Sequence, residues 1–596
     1  MTAYVAPLAD MRFVLKTVVD LAAITGLEAF SHASDDVVDA ALDQASKLAA
    51  EVIAPLNRAG DTDGAKCENG AVRTTPGFKE AYKAYVEGGW NSVPFEPEYG
   101  GQGLPRAVGI ALQEMWTSAN MAWSLCPLLT QGAIEAISAH GSDEQKRLYL
   151  EKLIEGSWTG TMNLTEPHAG SDVGALRAKA EPVGDGTWRI KGQKIFITYG
   201  EHDMVDNIVH LVLARTPGSP AGTKGISLFL VPKFLVGPDG KPGRKNDLRC
   251  VSIEHKLGIH GSPTCVMSFG DNEGAIGTLI GPENGGMRCM FTMMNSARLS
   301  VGLEGLAISE RAYQQAVSYA RERKQGRLPG QGPNEHAPII VHPDIRRSLM
   351  TMRATVEAMR GLVYLNAAAI DRAGHHPDET ERARAQAVVE LLTPVSKGWC
   401  TDMGVEIASM GVQVHGGMGF IEETGAAQHL RDSRIAPIYE GTNGIQAIDL
   451  VGRKLTLRGG EAVREWLGAM KALDGALVGF PTIRANLATG AAALERCTRW
   501  VVSALEKDPN AALAGATPYL RMFGIVSGGY LLARQALAAA AALGAKSGDP
   551  AFLTAKIATA KFYAEQILPQ AAGLEGPVTA GAELLFALSP EQLASA

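Results

Sequence analysis

The sequence predicts an α+β fold that is mainly α, with its domains in the order helical, β, helical. Three observations predict it. Apolar residues recur at spacings of three and four over most of the chain, the block from Trp158 to Pro282 replaces that rhythm with short β-branched and aromatic runs, and the stretch beyond Gly459-Gly460 returns to an Ala- and Leu-rich helical pattern. With 596 residues, 46% hydrophobic and 20% charged, the chain is long enough to bury several cores.

Residues 1–34 read as an N-terminal extension and 35–157 as a helical domain. Its first helix runs from Asp35 to Leu56, with Asp35 and Asp36 at the start and Pro55 at the end, and helical patterns follow at Phe78–Glu87, Ala107–Ser118 and Glu144–Glu155. Residues 158–282 read as a compact β domain, in which Trp188–Ile190, Ile195–Thr198, Ile208–Ala214 and Ile226–Val231 are separate strands between Gly, Pro and Asp turns. Helices return over 283–458, at Gly286–Arg323, Asp344–Ala373, Arg382–Met410 and after Gly444. The Gly- and Pro-rich loop from Gly326 to Pro343 is longer than an ordinary helix connection. Residues 459–596 form a further helical domain.

A formal charge of -7, with acids and bases interspersed, offers no basic field for nucleic acid or an anionic membrane. Seven scattered cysteines without a C-x-x-C pair predict neither a disulfide framework nor a zinc site, and no metal is expected. The N-terminus lacks the charge pattern of a secretory or organelle leader, and Arg534 and Gln535 interrupt the longest apolar stretch, Gly524–Gly544, which reads as a buried helix. The expected location is cytoplasmic, with no membrane partner.

Three motifs carry the functional reading: Leu-Thr-Glu-Pro-His-Ala-Gly-Ser-Asp at 164–172, Gln-Val-His-Gly-Gly-Met-Gly-Phe at 413–420, and Tyr-Glu-Gly-Thr-Asn-Gly-Ile-Gln at 439–446. A carboxylate ahead of a helix is ordinarily a solvated cap, and a Gly-Ser-Asp turn ordinarily bonds only itself. In this order and combination, however, the three resemble the acyl-CoA dehydrogenases over roughly Asp35 to Arg453, and the leading and final segments resemble the family's long-form bacterial subgroup. The resemblance implies an N-terminal helical domain, a middle β barrel, a C-terminal four-helix bundle and the extra C-terminal helical domain.

It also implies FAD. The G-x-G triplets at Gly101, Gly184, Gly330 and Gly417 are never completed to G-x-G-x-x-G, so a Rossmann grip is not signalled. By matching motif, Met162, Leu164 and Thr165 meet the flavin, and Gly170 and Ser171 lie near the pyrophosphate, where backbone N–H groups approach phosphate closely. Phe196 stands where the family usually has Trp, keeping an apolar face without the indole N–H, and Thr198 approaches the flavin. Arg323 matches an arginine that pairs with the pyrophosphate, although the usual phenylalanine two residues later is absent. Gln413 and Gly417 match residues reaching the neighbouring subunit's FAD, Thr442 is a further cofactor contact, and Gln428 replaces a usual Lys or Arg. His415 receives no role.

For chemistry, the resemblance makes Glu440 the base that removes the α-proton of an acyl-CoA thioester while the flavin accepts the β-hydride, giving a trans-2-enoyl-CoA. Some branches place the base one residue before the arginine of Asn295-Ser296-Ala297-Arg298, but that position is Ala297 here and accepts no proton. Ser171, Asn295, Arg298 and Gly441 are the substrate-binding candidates. The implied substrates are short or medium acyl-CoAs or 3-methylmercaptopropionyl-CoA. The implied partners are an electron-transfer flavoprotein and a second copy in a homodimer, which the extra C-terminal helices favour over a tetramer. An acyl-CoA oxidase is the nearest alternative. A DNA-binding stress-response flavoprotein of the same fold would need a basic C-terminal face, yet eleven acids balance eleven bases after Gly460.

Overall fold

The structure, a computed structural model, describes residues 3–330, 332 and 335–594. Ser34 caps the helix Asp35–Leu48 by accepting from the Val37 N–H, and the chain stays helical through a π turn and a 3-10 turn to Leu56. The helices Phe78–Glu87, Arg106–Ala119 and Asp143–Glu155 follow, the last opened by a Ser142/Gln145 capping box and closed by left-handed Gly156. Between them lies Met121–His140, which the sequence reading misses. This helix is buried nearly all round, so it carries no amphipathic stripe, and Pro127 breaks its pattern.

The middle segment forms an eight-stranded sheet in the order 248–253, 264–269, 187–198, 275–280, 227–232, 207–214 and 158–163, with 179–182 pairing to 187–198 off that path. Neighbours are antiparallel except 158–163 with 207–214. The two short strands expected at 188–190 and 195–198 are one strand, Thr187–Thr198, whose first half pairs with 275–278 and whose second half pairs with 264–269. Gly192, at φ 153°, sits where the pairing changes, with its missing Cβ 2.8 Å from Ala178 Cβ. The implied barrel is therefore a curled half-barrel. Its path leaves 158–163 as an end strand with one edge unpaired.

Three long helices, Gly286–Glu322, Pro343–His375 and Glu379–His415, make the C-terminal bundle. The first and third run parallel and in close contact: a Cβ on Gly305 would lie 2.2 Å from the Cys400 carbonyl oxygen, and one on Gly302 2.6 Å from that of Ser396. The final domain adds Pro481–Lys507, Ala516–Gly544 and Pro550–Gln566. Ala516–Gly544 is long and apolar enough to cross a membrane, but it is largely buried in the fold and seats Gly524 directly on the Trp399 ring. All seven cysteines are free.

One buried ionic network spans the chain. Arg360 bonds Asp10 at 2.5 Å, Glu114 at 2.6 Å and Glu310 at 2.8 Å; Lys556 bonds Asp10 at 2.5 Å and Glu357 at 2.7 Å; and the Tyr364 hydroxyl donates to Glu114. Burial would raise the Asp10 carboxyl, but Lys556 and Arg360 hold it down at about 2. Replacing one partner strands buried charge, so Arg360→Met is expected to cost about 3–5 kcal/mol in denaturant unfolding. Asp10 is depressed below its unfolded value of 3.8, so its contribution is full above that value and disappears as pH falls through about 2. Asp10→Asn should accordingly narrow its stability gap to the parent between pH 5 and 2, and a gap constant over that range would contradict the linkage.

Candidate active site

Glu440 sits in a short loop ahead of the helix Asn443–Asp449. Two successive residues there are left-handed, Glu440 at φ 56° and Gly441 at φ 78°. Glycine adopts this conformation freely, whereas at glutamate it stores strain of about 1 kcal/mol or more. The loop is held from several sides. The Gln446 amide donates to the carbonyls of Glu440 and Gly441, both at 3.2 Å, and Thr442 caps the helix through its hydroxyl oxygen. The preceding Tyr439 hydroxyl donates to Glu304 on the 286–322 helix.

The electrostatics around Glu440 suit a base. Burial pushes its carboxyl up to about 7, while the nearby cations of Arg298 and Lys397 pull the other way. Arg298 is buried, and a Cβ on Gly441 would lie 3.6 Å from its Nη2; its Nε has no protein partner. Among the described residues, no protein acceptor takes the backbone N–H of Glu440. A free N–H donor, an unpartnered guanidinium donor and a carboxyl near neutrality thus share one small volume, where they can receive a polarised carbonyl and a proton from its α-carbon. Ala297 is buried on the same helix and offers no carboxylate. Asn295, one turn earlier, is exposed.

A second group forms on the half-barrel. Lys194 is fully buried and donates to the Leu164 carbonyl at 3.0 Å and to Glu166 at 2.8 Å, while Glu166 also accepts the N–H groups of Arg177 and Ala178. The Ile195 N–H donates to the Thr165 carbonyl at 2.9 Å. These bonds lock the loop after Met162 onto the strand bearing Phe196 and Thr198. Leu164 and Thr165 are left with N–H groups that no protein acceptor takes among the described residues. Phe196 is left-handed at φ 60° and 58% exposed, an outward aromatic face in a strained backbone. Gly170 and Ser171 are exposed on the adjoining turn, and a Cβ on Gly170 would meet nothing within 4 Å. Free backbone donors, an open aromatic face and a glycine cradle fit a flavin nucleotide.

The helix Met121–His140 packs between the half-barrel and the bundle: a Cβ on Gly160, in the end strand, would meet Ala133, and one on Gly132 would meet Met293, near the start of the 286–322 helix. Arg323, Gln413 and Gly417 lie elsewhere. The parallel helices 286–322 and 379–415 end together, with Tyr319 stacked on His415 at 4.5 Å, and Arg323, Gln413 and Gly417 are exposed at that end. From Arg298 to Arg323 the helix rises roughly 37 Å at about 1.5 Å per residue. Arg323 therefore lies far along the bundle from Arg298, and Gln413 and Gly417 lie with it at that end. Gln428 is buried and donates to the Asn57 carbonyl at 3.1 Å, a structural contact between domains.

Comparison with known proteins matches this architecture. The acyl-CoA dehydrogenase N-terminal domain model matches residues 37–157, the middle-domain model 161–272, the C-terminal domain model 284–456, and an acetyl-CoA dehydrogenase C-terminal-like model 461–589. The chain belongs to the acyl-CoA dehydrogenase family. It is 48% identical to the 3-methylmercaptopropionyl-CoA dehydrogenase of Ruegeria pomeroyi over 98% of this chain and 100% of that one. It is 36% identical to a butyryl-CoA dehydrogenase of Syntrophomonas wolfei, covering 95% of each. A Bacillus anthracis acyl-CoA dehydrogenase complexed with FAD shares the fold at a TM-score of 0.73 and 18% identity, over 94% of this chain and 90% of that one. As a family member, the chain is an oxidoreductase.

Sequence reasoning named Glu440 and Arg298 but passed over Glu304, Lys397, Gln446 and the Lys194–Glu166 pair that supports the family's Leu-Thr-Glu-Pro loop. A signal existed for two of them, since Glu304 and Lys397 are single charges inside otherwise apolar helical runs. Lys194→Met would leave Glu166 buried without its cation. It is expected to destabilise the fold by about 3–5 kcal/mol and to lower the flavin content of the purified protein. Unchanged melting and unchanged flavin content would show that the pair does not support the loop.

Proposed function

We propose that this chain oxidises the Cα–Cβ bond of an acyl-CoA thioester to the trans-2-enoyl-CoA, with Glu440 as the base. The observation that carries the reading is the joint placement of the Glu440 carboxyl, near neutrality, with its own free N–H and the unpartnered Arg298 Nε. Leu164, Thr165, Phe196 and Thr198, with Met162 behind them and Gly170 and Ser171 beside them, would hold FAD. Bound there, FAD would supply the acceptor for the hydride leaving Cβ. The protein's own part is to orient the thioester and manage charge. The Glu440 N–H, with Gly441 allowing close approach, receives the carbonyl oxygen as enolate character develops, and the Glu440 carboxylate takes the α-proton. Arg298 offsets the charge, and Asn295 and Ser171, both exposed, would meet the longer arm of the substrate.

The identity over the whole length of the Ruegeria protein supports 3-methylmercaptopropionyl-CoA as substrate, and that to the butyryl-CoA dehydrogenase supports a short acyl-CoA; an electron-transfer flavoprotein is the proposed acceptor. The distance between the two ends of the bundle supports a homodimer in which Arg323, Gln413, Gly417 and Thr442 serve the cofactor sites, the first three from the partner's side. Beside them Met418, Phe420 and Ile421 are exposed, Phe420 at 85%.

Glu440→Gln should keep the fold and yellow colour while turnover falls by at least ~10²–10⁴-fold in a substrate panel with an artificial acceptor. Retention of more than about a tenth of the parent rate would remove Glu440 from the role. The base must be ionised to act, so the rate of anaerobic flavin reduction by substrate should rise with pH through about 7. A shared cofactor site also links assembly to flavin binding. Dilution should release flavin and lower the melting temperature together, and added FAD should oppose both. A monomer that keeps its flavin at every dilution would contradict the shared site.

A further inference from the structure

Lys397 is an unusual cation. It lies in the middle of the 379–415 helix with no exposed surface, and among the described residues no carboxylate comes within 4.0 Å of its ammonium. Its hydrogen bond is to Asn443 Oδ1 at 2.8 Å. Asn443 is the first residue of the helix behind Glu440, and its amide in turn donates to Thr401 Oγ1, the Gly398 carbonyl and Asp402. A buried ammonium without an adjacent anion is costly, and its charge must be balanced from further away.

Glu440, Glu304, Asp402 and Arg298 act on Lys397, and further charges on the surrounding elements act on those in turn. The 286–322 helix presents Arg298 and Glu304; the lysine's own helix presents Asp402, with Glu406 beyond it; the loop presents Tyr439 and Glu440; the 443–454 segment presents Asp449 and Arg453; and the 516–544 helix presents Arg521, which pairs with Glu406 at 2.5 Å. Arg298 is partly answered by Asp449 at 3.9 Å, and Asp402 by Asn443. Glu304 is the weaker counter-charge, because burial pushes it up to about 8 and it stays largely protonated while Glu440 is charged. Glu440 is the anion that acts most strongly on Lys397, whose ammonium burial pulls down to about 7.

We propose that Lys397 is a positioning residue for proton abstraction: its buried ammonium keeps Glu440 ionised, and its bond to Asn443 fixes the helix start that aims Glu440 at the substrate. This rests on the reading of Glu440 as the base. Lys397 and Glu440 form a matched pair held apart by the loop, so that the carboxylate is ionised enough to act at neutral pH and unpaired enough to accept a proton. A direct salt bridge would hold the base too acidic; an apolar residue at 397 would leave it protonated.

The test is the pH dependence of anaerobic flavin reduction by butyryl-CoA and by 3-methylmercaptopropionyl-CoA, in holoenzyme. Lys397→Gln keeps a donor for Asn443 and removes the charge; it should move the acid limb upward by about one unit or more, as loss of a close opposite charge does. Lys397→Arg keeps the charge and should leave the limb within about 0.3 unit of the parent. Asp402→Asn, a milder change at a half-buried position, weakens the ammonium from behind and should move the limb in the same direction by less; it serves as the reading if Lys397→Gln fails to fold or to hold flavin. Glu440→Gln separates the two hypotheses. If it abolishes reduction while neither Lys397→Gln nor Asp402→Asn moves the limb, the base stands and the role of Lys397 is overturned. If Glu440→Gln reduces flavin at the parent rate, both fall.

Discussion

The fold depends on the charges gathered at Arg360. Asp10 comes from the N-terminal extension, Glu114 from the 106–119 helix, Glu310 from the 286–322 helix, Glu357 and Arg360 itself from the 343–375 helix, and Lys556 from the last domain. Each of these groups is costly to bury and is repaid only by the others, so the network tolerates one relative placement of five segments and penalises slippage of any. Its register reaches the active site directly. Glu304 lies roughly 9 Å back along the helix that carries Glu310, and it accepts the Tyr439 hydroxyl next to the base. The extension and the last domain therefore act on Glu440 through one rigid helix.

The same physics is used with opposite results in two places. Around Arg360 the opposite charges touch, and Asp10 is held acidic at about 2. Around Glu440 they stand apart, and burial wins, leaving the carboxyl at about 7. The difference is geometric. The two bonded cations keep Asp10 ionised, whereas a carboxylate that must gain and lose a proton within each turnover needs its cations near but unbonded.

The sequence disclosed what is periodic or locally encoded. The Asp35 helix, the long bundle helices and the Tyr-Glu-Gly-Thr loop are written in neighbouring residues. The helix Met121–His140 was not legible because burial on every side erases amphipathic rhythm, and Thr187–Thr198 read as two strands because Gly192 interrupts the apolar pattern where one strand turns between two partners. Within the site, Glu440 was legible and its supports were not. Lys397 and Glu304 stand out in sequence as single charges in apolar runs, but their partners, and the role of Lys194, become readable only when distant segments close over them. The separation of Arg323, Gln413 and Gly417 from Glu440 is likewise a property of helix length and parallel packing, which motif order does not convey.

Strain marks both halves of the site. Glu440 and Phe196 are among the few non-glycine residues with left-handed backbones, and each is pinned by bonds from elsewhere: Glu440 through Gln446, Tyr439 and Asn443, and Phe196 through the Lys194–Glu166 pair and the Ile195 N–H bond to Thr165. Held as they are, the carboxyl and the aromatic face are fixed on rigid supports before any ligand arrives, so the ordering cost is met by the fold rather than by the substrate. The buried charges of the bundle fix the relative placement of its helices, including the 286–322 helix that carries both Glu310 and Arg298, and so hold the supports of the site in register.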